Sequence, residues 1–339
     1  MPKKSQYLLV TLADRHFLDQ AKQLFSSVYH NAGWQGDYLL LAHDVPDDEL
    51  AWFRNKGILI YQCRPLDHGM IANNSLPAIV LTKFYLFTPY FRQWEKIIFL
   101  DADIIVQASL DKLLATTGFL AVADMFNGRL RRQFEPSADP RLFAELNHQY
   151  KLHDLAFNSG VLVFGPETIT DELFPRLIGL YKKFGILDTY GEQGIFNLAF
   201  YHNWRPLPVV YNFTLYDCDR YWIRRQDLRA INIHFIGPEK PWRPNNVFYP
   251  LWQESLALAE KIDLTCPLSA KRIWPDWEIW AYPLWLRVLS MPRAWLTLVN
   301  ERLHKFLGQS GRAIKKRSPG LYDQIIKLKT CWPIKIKRQ

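Results

Sequence analysis

Residues 96–106 read Lys96-Ile97-Ile98-Phe99-Leu100-Asp101-Ala102-Asp103-Ile104-Ile105-Val106. A short, continuous apolar run with β-branched residues predicts a strand buried on both faces, central in a parallel sheet. The run ends on two carboxylates one residue apart. Like charges at the end of a buried strand are costly unless a cation compensates them, and hard divalent cations take carboxylate oxygens. A D-x-D triplet arises by chance about once in a chain of this size, most often in a surface turn. The apolar strand preceding this one argues against a solvated turn. It favours a metal site at Asp101 and Asp103, with Ala102 between them.

Working outward, the same alternation recurs. Tyr7-Leu8-Leu9-Val10-Thr11, Tyr38-Leu39-Leu40-Leu41-Ala42 and Ile58-Leu59-Ile60-Tyr61 predict three more strands. Between them, Phe17 to Val28 carries Leu18, Ala21, Leu24 and Phe25 on one helical face, and Asp47 to Phe53 starts another helix. Ile79 to Phe87 is expected to be helical and carries Lys83. Beyond the triplet, Leu120–Ala123, Gly160–Phe164 and Asn232–Phe235 read as strands, and Thr168–Phe184 and Glu192–Tyr201 as helices. This β-α-β order predicts an α/β domain with a mostly parallel central sheet. In such sheets ligands sit at the carboxyl ends of the strands, where the triplet lies.

Several other motifs say little alone. His234, in Ile233-His234-Phe235, would ordinarily be a core residue. Here Gly237 and Lys240 follow it. The glycine permits close backbone approach to a ligand, and the lysine supplies a point charge for phosphate. An imidazole with two carboxylates makes a mixed N/O set that suits Mn²⁺ as well as Mg²⁺. Phe157-Asn158-Ser159-Gly160 reads as a turn, Gly191-Glu192-Gln193-Gly194 as a helix start, and Lys83 as a snorkelling side chain.

Taken in order, however, LLVTLADRHF (8–17), LTKFY (81–85), IIFLDADIIV (97–106), AVAD (121–124), FNSGVLVF (157–164), GEQGIFN (191–197), LPVVYN (207–212) and HFIGPEKPW (234–242) form a set. It resembles family 8 of the glycosyltransferases, the group containing glycogenin and bacterial lipopolysaccharide glycosyltransferases, from about Leu8 to Trp242. The resemblance implies a GT-A fold, which is Rossmann-like with a mostly parallel sheet. It also implies a UDP-sugar donor and retaining transfer of a hexose to a glycan, lipid-linked or protein acceptor. By the same resemblance, Asp101, Asp103 and His234 are the metal ligands, and Gly237 and Lys240 meet the diphosphate. Thr11 and Leu12 fall at the uracil and ribose, with Ala102 in the same cofactor-binding stretch. Lys83, Asp124, Asn158, Glu192 and Gln193 fall where the donor sugar is held and the reaction oriented. One residue departs from the pattern: the family usually has Asp before the glutamine, and this chain has Glu192. An extra methylene moves a carboxylate by about 1 Å, enough to alter sugar preference or rate.

The remaining third of the chain differs in composition. Seven tryptophans lie between Trp242 and Trp295. Trp295, Leu296, Val299, Leu303, Phe306 and Leu307 form a helical stripe, and Leu321, Ile325, Leu328 and Trp332 form another among lysines. From Arg312 to the end there are nine Lys/Arg against Asp323 alone, so this tail carries +8 of the net +9. The expected division is a catalytic domain over 1–245 and a helical, aromatic, basic extension over 246–339. Residues 292–339 are a candidate contact for an anionic membrane surface, the other reading being a helical appendage packed on the domain. No nucleic-acid motif accompanies the charge. Four scattered cysteines, Cys63, Cys218, Cys266 and Cys331, form no metal spacing. They fit a reducing compartment, and with no apolar run of about 18 residues the expected location is cytoplasmic or peripheral on the inner membrane face.

Three rival readings are open at this point. A phosphatase of the haloacid dehalogenase type also uses D-x-D after a strand. It normally needs Thr or Val where Ile105 stands, and it gives His234 and Lys240 no role. A degenerate transferase could act as a sugar-binding or membrane scaffold, with Glu192 as its mark. Self-glycosylation at Tyr216 or Tyr221 is the third.

Overall fold

The computed structural model describes residues 5–66, 78–124, 128–221, 223–286 and 288. The chain divides into two compact units, 1–283 and 284–339. The stripes predicted at 295–307 and 321–332, and the candidate membrane segment 292–339, lie outside the described residues. No helix among the described residues is long and apolar enough to cross a membrane.

The first unit is built on a seven-stranded sheet. In chain order its strands are β1 (Tyr7–Ala13), β2 (Asp37–His43), β3 (Leu59–Cys63), β4 (Lys96–Leu100), β6 (Phe119–Ala123), β7 (Phe157–Phe164) and β8 (Trp204–Leu207). A small second sheet holds β5 (Ile104–Val106), β9 (Phe213–Thr214) and β10 (Asn232–His234). The large sheet runs β3-β2-β1-β4-β7-β6-β8. Its pairs are parallel except where β7 meets β4 and β6. The mostly parallel α/β expectation therefore holds. Every residue of β4 is buried, as its uninterrupted apolar run requires.

Helices cover the sheet. Helix α1 (Leu18–Ser27) runs into a π-helical turn, Val28–Ala32, and α2 is Ala51–Asn55. Then come α3 (Pro140–Gln149), α4 (Leu173–Phe184), α5 (Gln193–Ala199), α6 (Leu215–Tyr221) and α7 (Tyr249–Ala257). The helix expected at 79–87 is instead a 3-10 helix, Ala78–Phe87. Ile79, Val80 and Thr82 are β-branched and weaken the α form. At three residues per turn, Leu81, Phe84 and Phe87 share one row, and all three are buried. Segments β5, β8, β9, α3, α6 and α7 carried no clear periodic signal. They are short, or they take their shape from tertiary pairing.

Residues 249–272 belong to the first unit and wrap back on it. The Tyr29 hydroxyl donates to the carbonyls of Asp263 and Cys266 at 2.9 and 2.6 Å. Lys271 N donates to Asn31 O at 2.9 Å, and Ser109 N to Arg272 O at 2.8 Å.

The core on one side of the sheet is aromatic. Phe87 stacks on Phe164 with centroids 4.9 Å apart and also touches Phe119, Phe196 and Phe200. Phe119 and Phe200 lie nearly parallel at 3.7 Å. This cluster ties the 3-10 helix, which carries Lys83, to β7 and α5, which carry Asn158 and Gln193, and to β6, which ends one residue before Asp124. Phe87→Ala should cost about 3–5 kcal/mol. Urea denaturation checks this, with a loss under about 1 kcal/mol refuting the assigned role.

Candidate active site

The triplet bridges the two sheets. Asp101-Ala102-Asp103 leaves the end of β4, and the chain turns into β5. Asp101 N donates to Gly160 O at 2.9 Å, and Phe235 N to Asp103 O at 3.1 Å. Strand β10 pairs antiparallel with β5, and the register sets His234 opposite Ile104. Two segments far apart in the chain are thus set side by side by backbone hydrogen bonds.

Their side chains converge. One donor atom each from Asp101, Asp103 and His234 lies within 4.8 Å of the others. His234 Nε2 is 3.1 Å from Asp103 Oδ1 and 3.7 Å from Asp101 Oδ2. The other ring nitrogen, Nδ1, is 2.8 Å from Asn212 Oδ1. The Asn212 amide in turn donates to Asn158 Oδ1 at 2.8 Å. The Asn212 acceptor fixes a proton on Nδ1 and turns Nε2 towards the carboxylates. Metal-binding histidines are commonly oriented by such a partner on the far nitrogen. Room for the ring comes from Gly160, where a Cβ would lie 2.2 Å from His234 Cε1. Two carboxylates and one neutral imidazole form a donor set that fits a divalent cation such as Mn²⁺ or Mg²⁺.

Two lysines flank the carboxylates. Lys83 is buried and reaches Asp101 Oδ1 at 2.8 Å and Glu192 Oε1 at 2.5 Å. Burial lowers its pKa, but Asp101 and then Glu192 more than offset this, so it is held firmly charged. Lys240 reaches Asp103 Oδ2 at 2.6 Å and Phe235 O at 2.7 Å. Burial pushes the Asp103 carboxyl up, while His234 and then Lys240 pull it down, leaving it well below the usual carboxylate range. Asp103 is thereby kept ionised, the form a metal needs.

A second network lies beside this centre. Gln193 Nε2 donates to Asp124 Oδ2 at 3.0 Å and to Gln133 Oε1 at 2.8 Å. Gln193 Oε1 accepts from Asn158 Nδ2 at 2.9 Å and Ser159 N at 3.1 Å. Ser159 Oγ donates to Glu192 Oε1 at 2.9 Å. A register shift between Ala121 and Val122 in the β6–β7 pair lies next to Asp124 and Asn158. Such bulges re-aim the residues beyond them. Asp188 sets the start of α5 by accepting from Ile195 N at 3.1 Å, which orients Glu192 and Gln193.

Of the expected site residues, the structure joins Asp101, Asp103, His234, Lys240, Lys83, Glu192, Gln193, Asp124 and Asn158 through direct contacts, with two differences of detail. The Thr11 side chain is buried and donates to Leu100 O at 2.7 Å. That position and Leu12 beside it, at the end of β1, offer a ligand mainly backbone. Lys83 lies against Asp101 and Glu192, which ties the metal centre to the second network. Gly237 has φ +78, a left-handed backbone that favours glycine, and a Cβ there would lie 2.7 Å from the Tyr216 hydroxyl, which would have to shift. Three residues carried no assigned role in the sequence: Asn212, Ser159 and Gln133. Asn212 had a signal, as the polar residue closing the apolar run of LPVVYN. Gln133 had none.

A mostly parallel sheet, an Asp-Asp-His cluster at the end of β4 and a lysine on the same carboxylate are the features expected of a GT-A fold. Residues 9–246 match the model of Glycosyl transferase family 8, and the chain belongs to that family. Glycosyltransferase GlyB of Streptococcus pneumoniae is 27% identical over 72% of this chain and 60% of its own length. Human glycogenin-1 is 27% identical over 60% of this chain and 51% of its own. Galactinol synthase 1 of Ajuga reptans is 26% identical over 59% of this chain and 62% of its own. The chain thus spans about 60% of the length of GlyB and of galactinol synthase 1, and about half that of glycogenin-1. Among solved structures, the galactosyltransferase LgtC with donor and acceptor sugar analogs superposes with a TM-score of 0.60 at 17% identity, covering 80% of this chain and 99% of that one. Family membership removes the phosphatase reading.

Asn212→Leu removes the acceptor that orients His234. It should weaken Mn²⁺ binding about 10–100-fold, measured by titration with and without the substitution; unchanged affinity refutes the orienting role. Lys83→Gln leaves two buried or half-buried acids without their cation and should destabilise the fold by about 3–5 kcal/mol. Denaturation of Lys83→Gln alongside Lys83→Gln/Glu192→Gln tests this, since the double variant should recover part of the loss.

Proposed function

We propose that the chain transfers a hexose from a UDP-sugar to a hydroxyl of a glycan, lipid-linked or protein acceptor, with retention at the anomeric carbon. The observation that carries this reading is one carboxylate, Asp103, shared between His234 and Lys240 at 3.1 and 2.6 Å. A diphosphate needs a metal and a separate ammonium at one place, and these residues offer both. A divalent cation held by Asp101, Asp103 and His234 would act as a Lewis acid on the diphosphate oxygens and neutralise charge as the leaving group departs.

The protein's own residues have separate roles in this proposal. Lys240 swings its ammonium from Asp103 to the β-phosphate, where charge develops as the anomeric C–O bond breaks. Gly237 lets the backbone approach the same phosphate. Asp124, Asn158 and Gln193 form a pre-organised polar wall that orients the sugar hydroxyls. Glu192 holds Lys83, and Lys83 holds Asp101, so the departure from the family pattern acts on the metal centre through one ammonium.

Front-face transfer fits these residues best. The bond from the anomeric carbon to the β-phosphate oxygen breaks while the acceptor oxygen bonds to the same face. The acceptor proton passes to the departing phosphate oxygen. Both candidate nucleophiles are engaged elsewhere, Glu192 with Lys83 and Ser159 and Asp124 with Gln133 and Gln193. A trapped covalent glycosyl-enzyme at either carboxylate contradicts this path.

A donor screen read by UDP release tests the proposal. At least one UDP-hexose should be hydrolysed or transferred with Mn²⁺ present and not with a chelator. Asp103→Asn should lower the rate about a hundredfold or more. A flat response across UDP-glucose, UDP-galactose and their relatives favours a sugar-binding scaffold instead. Glu192→Asp should change kcat by about a hundredfold or switch the preferred sugar; indifference in both removes the assigned role of Glu192.

A further inference from the structure

Helix α7 packs against α1, and buried polar groups without partners concentrate on these two helices. Among the described residues, nine buried side-chain nitrogen or oxygen atoms have no hydrogen-bond partner there. Five of the nine lie on α1 or α7: Gln20 Oε1, both amide atoms of Gln23, Ser26 Oγ and Trp252 Nε1. Buried polar groups are nearly always paired in folded proteins, so a concentration of exceptions needs a cause. Gln20 and Trp252 line one cavity of about 420 Å³. Small-molecule sites run from about 300 to 1,000 Å³. Trp252 is only 8% exposed, so its indole N–H is withdrawn from bulk solvent. All the residues lining the cavity belong to the first unit.

The walls indicate what fits. Trp242, Tyr249 and Trp252 bring aromatic rings to the cavity, with Trp242 and Trp252 6.2 Å apart and tilted at 52°. Such rings combine a broad apolar surface with a polar edge, which suits the C–H face and the hydroxyls of a pyranose. Trp252 Nε1 can only donate, and Gln20 Oε1 can only accept. A hydroxyl does both, so neighbouring hydroxyls on one ring satisfy both atoms. The Tyr249 hydroxyl accepts from Gln253 Nε2 at 2.7 Å and still has a proton to give. The charges on the lining are already matched, Arg15 with Glu49 at 2.8 Å and Lys22 with Asp19 at 2.9 Å. A phosphate or carboxylate would have to break one of these pairs, so the lining favours a neutral ligand. None of the residues lining the cavity is among those assigned above to the metal, the diphosphate or the transferred sugar. Trp242 links the two places, since the Lys240 ammonium lies 5.7 Å from its ring.

We infer that the cavity between α1 and α7 is a second, non-catalytic site that binds a neutral pyranose unit, held by Trp252 Nε1 and Gln20 Oε1 against the Trp242 ring. The site lies apart from the transfer reaction and does not depend on which sugar is moved.

The indole N–H signals of the isotope-labelled full chain test this by nuclear magnetic resonance, with Mg²⁺ and UDP present throughout so that donor binding does not contribute. The signal missing from Trp252→Phe belongs to Trp252. It should shift on adding methyl glucoside, methyl galactoside or methyl mannoside at millimolar concentration. Titrating that shift gives an affinity, which Gln20→Leu should weaken about tenfold. Gln20→Leu/Trp252→Phe should melt no lower than the wild type, because it removes two unpaired buried atoms. Unchanged affinity in Gln20→Leu overturns the inference. No shift with any of the three glycosides also overturns it; a Trp252 signal that then moves with UDP assigns the cavity to the nucleotide. A lowered melt of the double variant without glycoside binding overturns it too, since the two atoms would then hold a buried water.

Discussion

The site depends on balancing the charge of two carboxylates placed at the end of a buried strand. Asp101 and Asp103 share one turn, and Asp103 in particular would be costly to ionise without compensation. The fold supplies it from two sides. Lys83 comes from the 3-10 helix packed on the aromatic core, and Lys240 from the loop after β10. His234 approaches from a third direction, fixed by the β5–β10 register. Each lysine is also tied to something else, Lys83 to Glu192 and Lys240 to the Phe235 carbonyl. The triplet therefore couples the Gln193–Asp124 network, the Asp-Asp-His cluster and the loop after β10.

Much of this was legible in the sequence because it rests on local signals. The continuous apolar run 97–100 gave away β4, and the β-α-β rhythm predicted the parallel sheet. Pairing His234 with the triplet needed the whole ordered set of motifs, since a single histidine between apolar residues is ambiguous. The 3-10 geometry of 78–87 was not visible. Its periodicity suggested a helix, and the choice of three residues per turn follows from how Leu81, Phe84 and Phe87 fill the core. Gln133 was invisible for a similar reason, since only the packing of its segment against α5 brings its amide to Asp124 and Gln193. Glu192 stood out as a departure, yet its partner could not be read from the chain. The contact with Lys83 links residues 109 positions apart.

The glycines show how tightly the centre is built. Gly160 leaves the space that the His234 ring occupies, and Gly237 combines a left-handed backbone with closeness to Tyr216. Gly160 lies within β7 and Gly237 just after β10, and backbone hydrogen bonds at these two strands hold the triplet. The geometry of the Asp-Asp-His cluster is a property of backbone register, with side chains filling gaps that the register creates. Asn212, behind His234, belongs to that geometry through its bond to Nδ1.

The central claim is that Asp101, Asp103 and His234 hold a divalent cation jointly with a nucleoside diphosphate. Titration of Mn²⁺ by electron paramagnetic resonance, with and without UDP, tests this most directly. The account predicts that UDP tightens Mn²⁺ binding, that Mn²⁺ tightens UDP binding by the same factor, and that His234→Ala abolishes the effect. Mn²⁺ binding that ignores UDP, or that persists unchanged in His234→Ala, would contradict it.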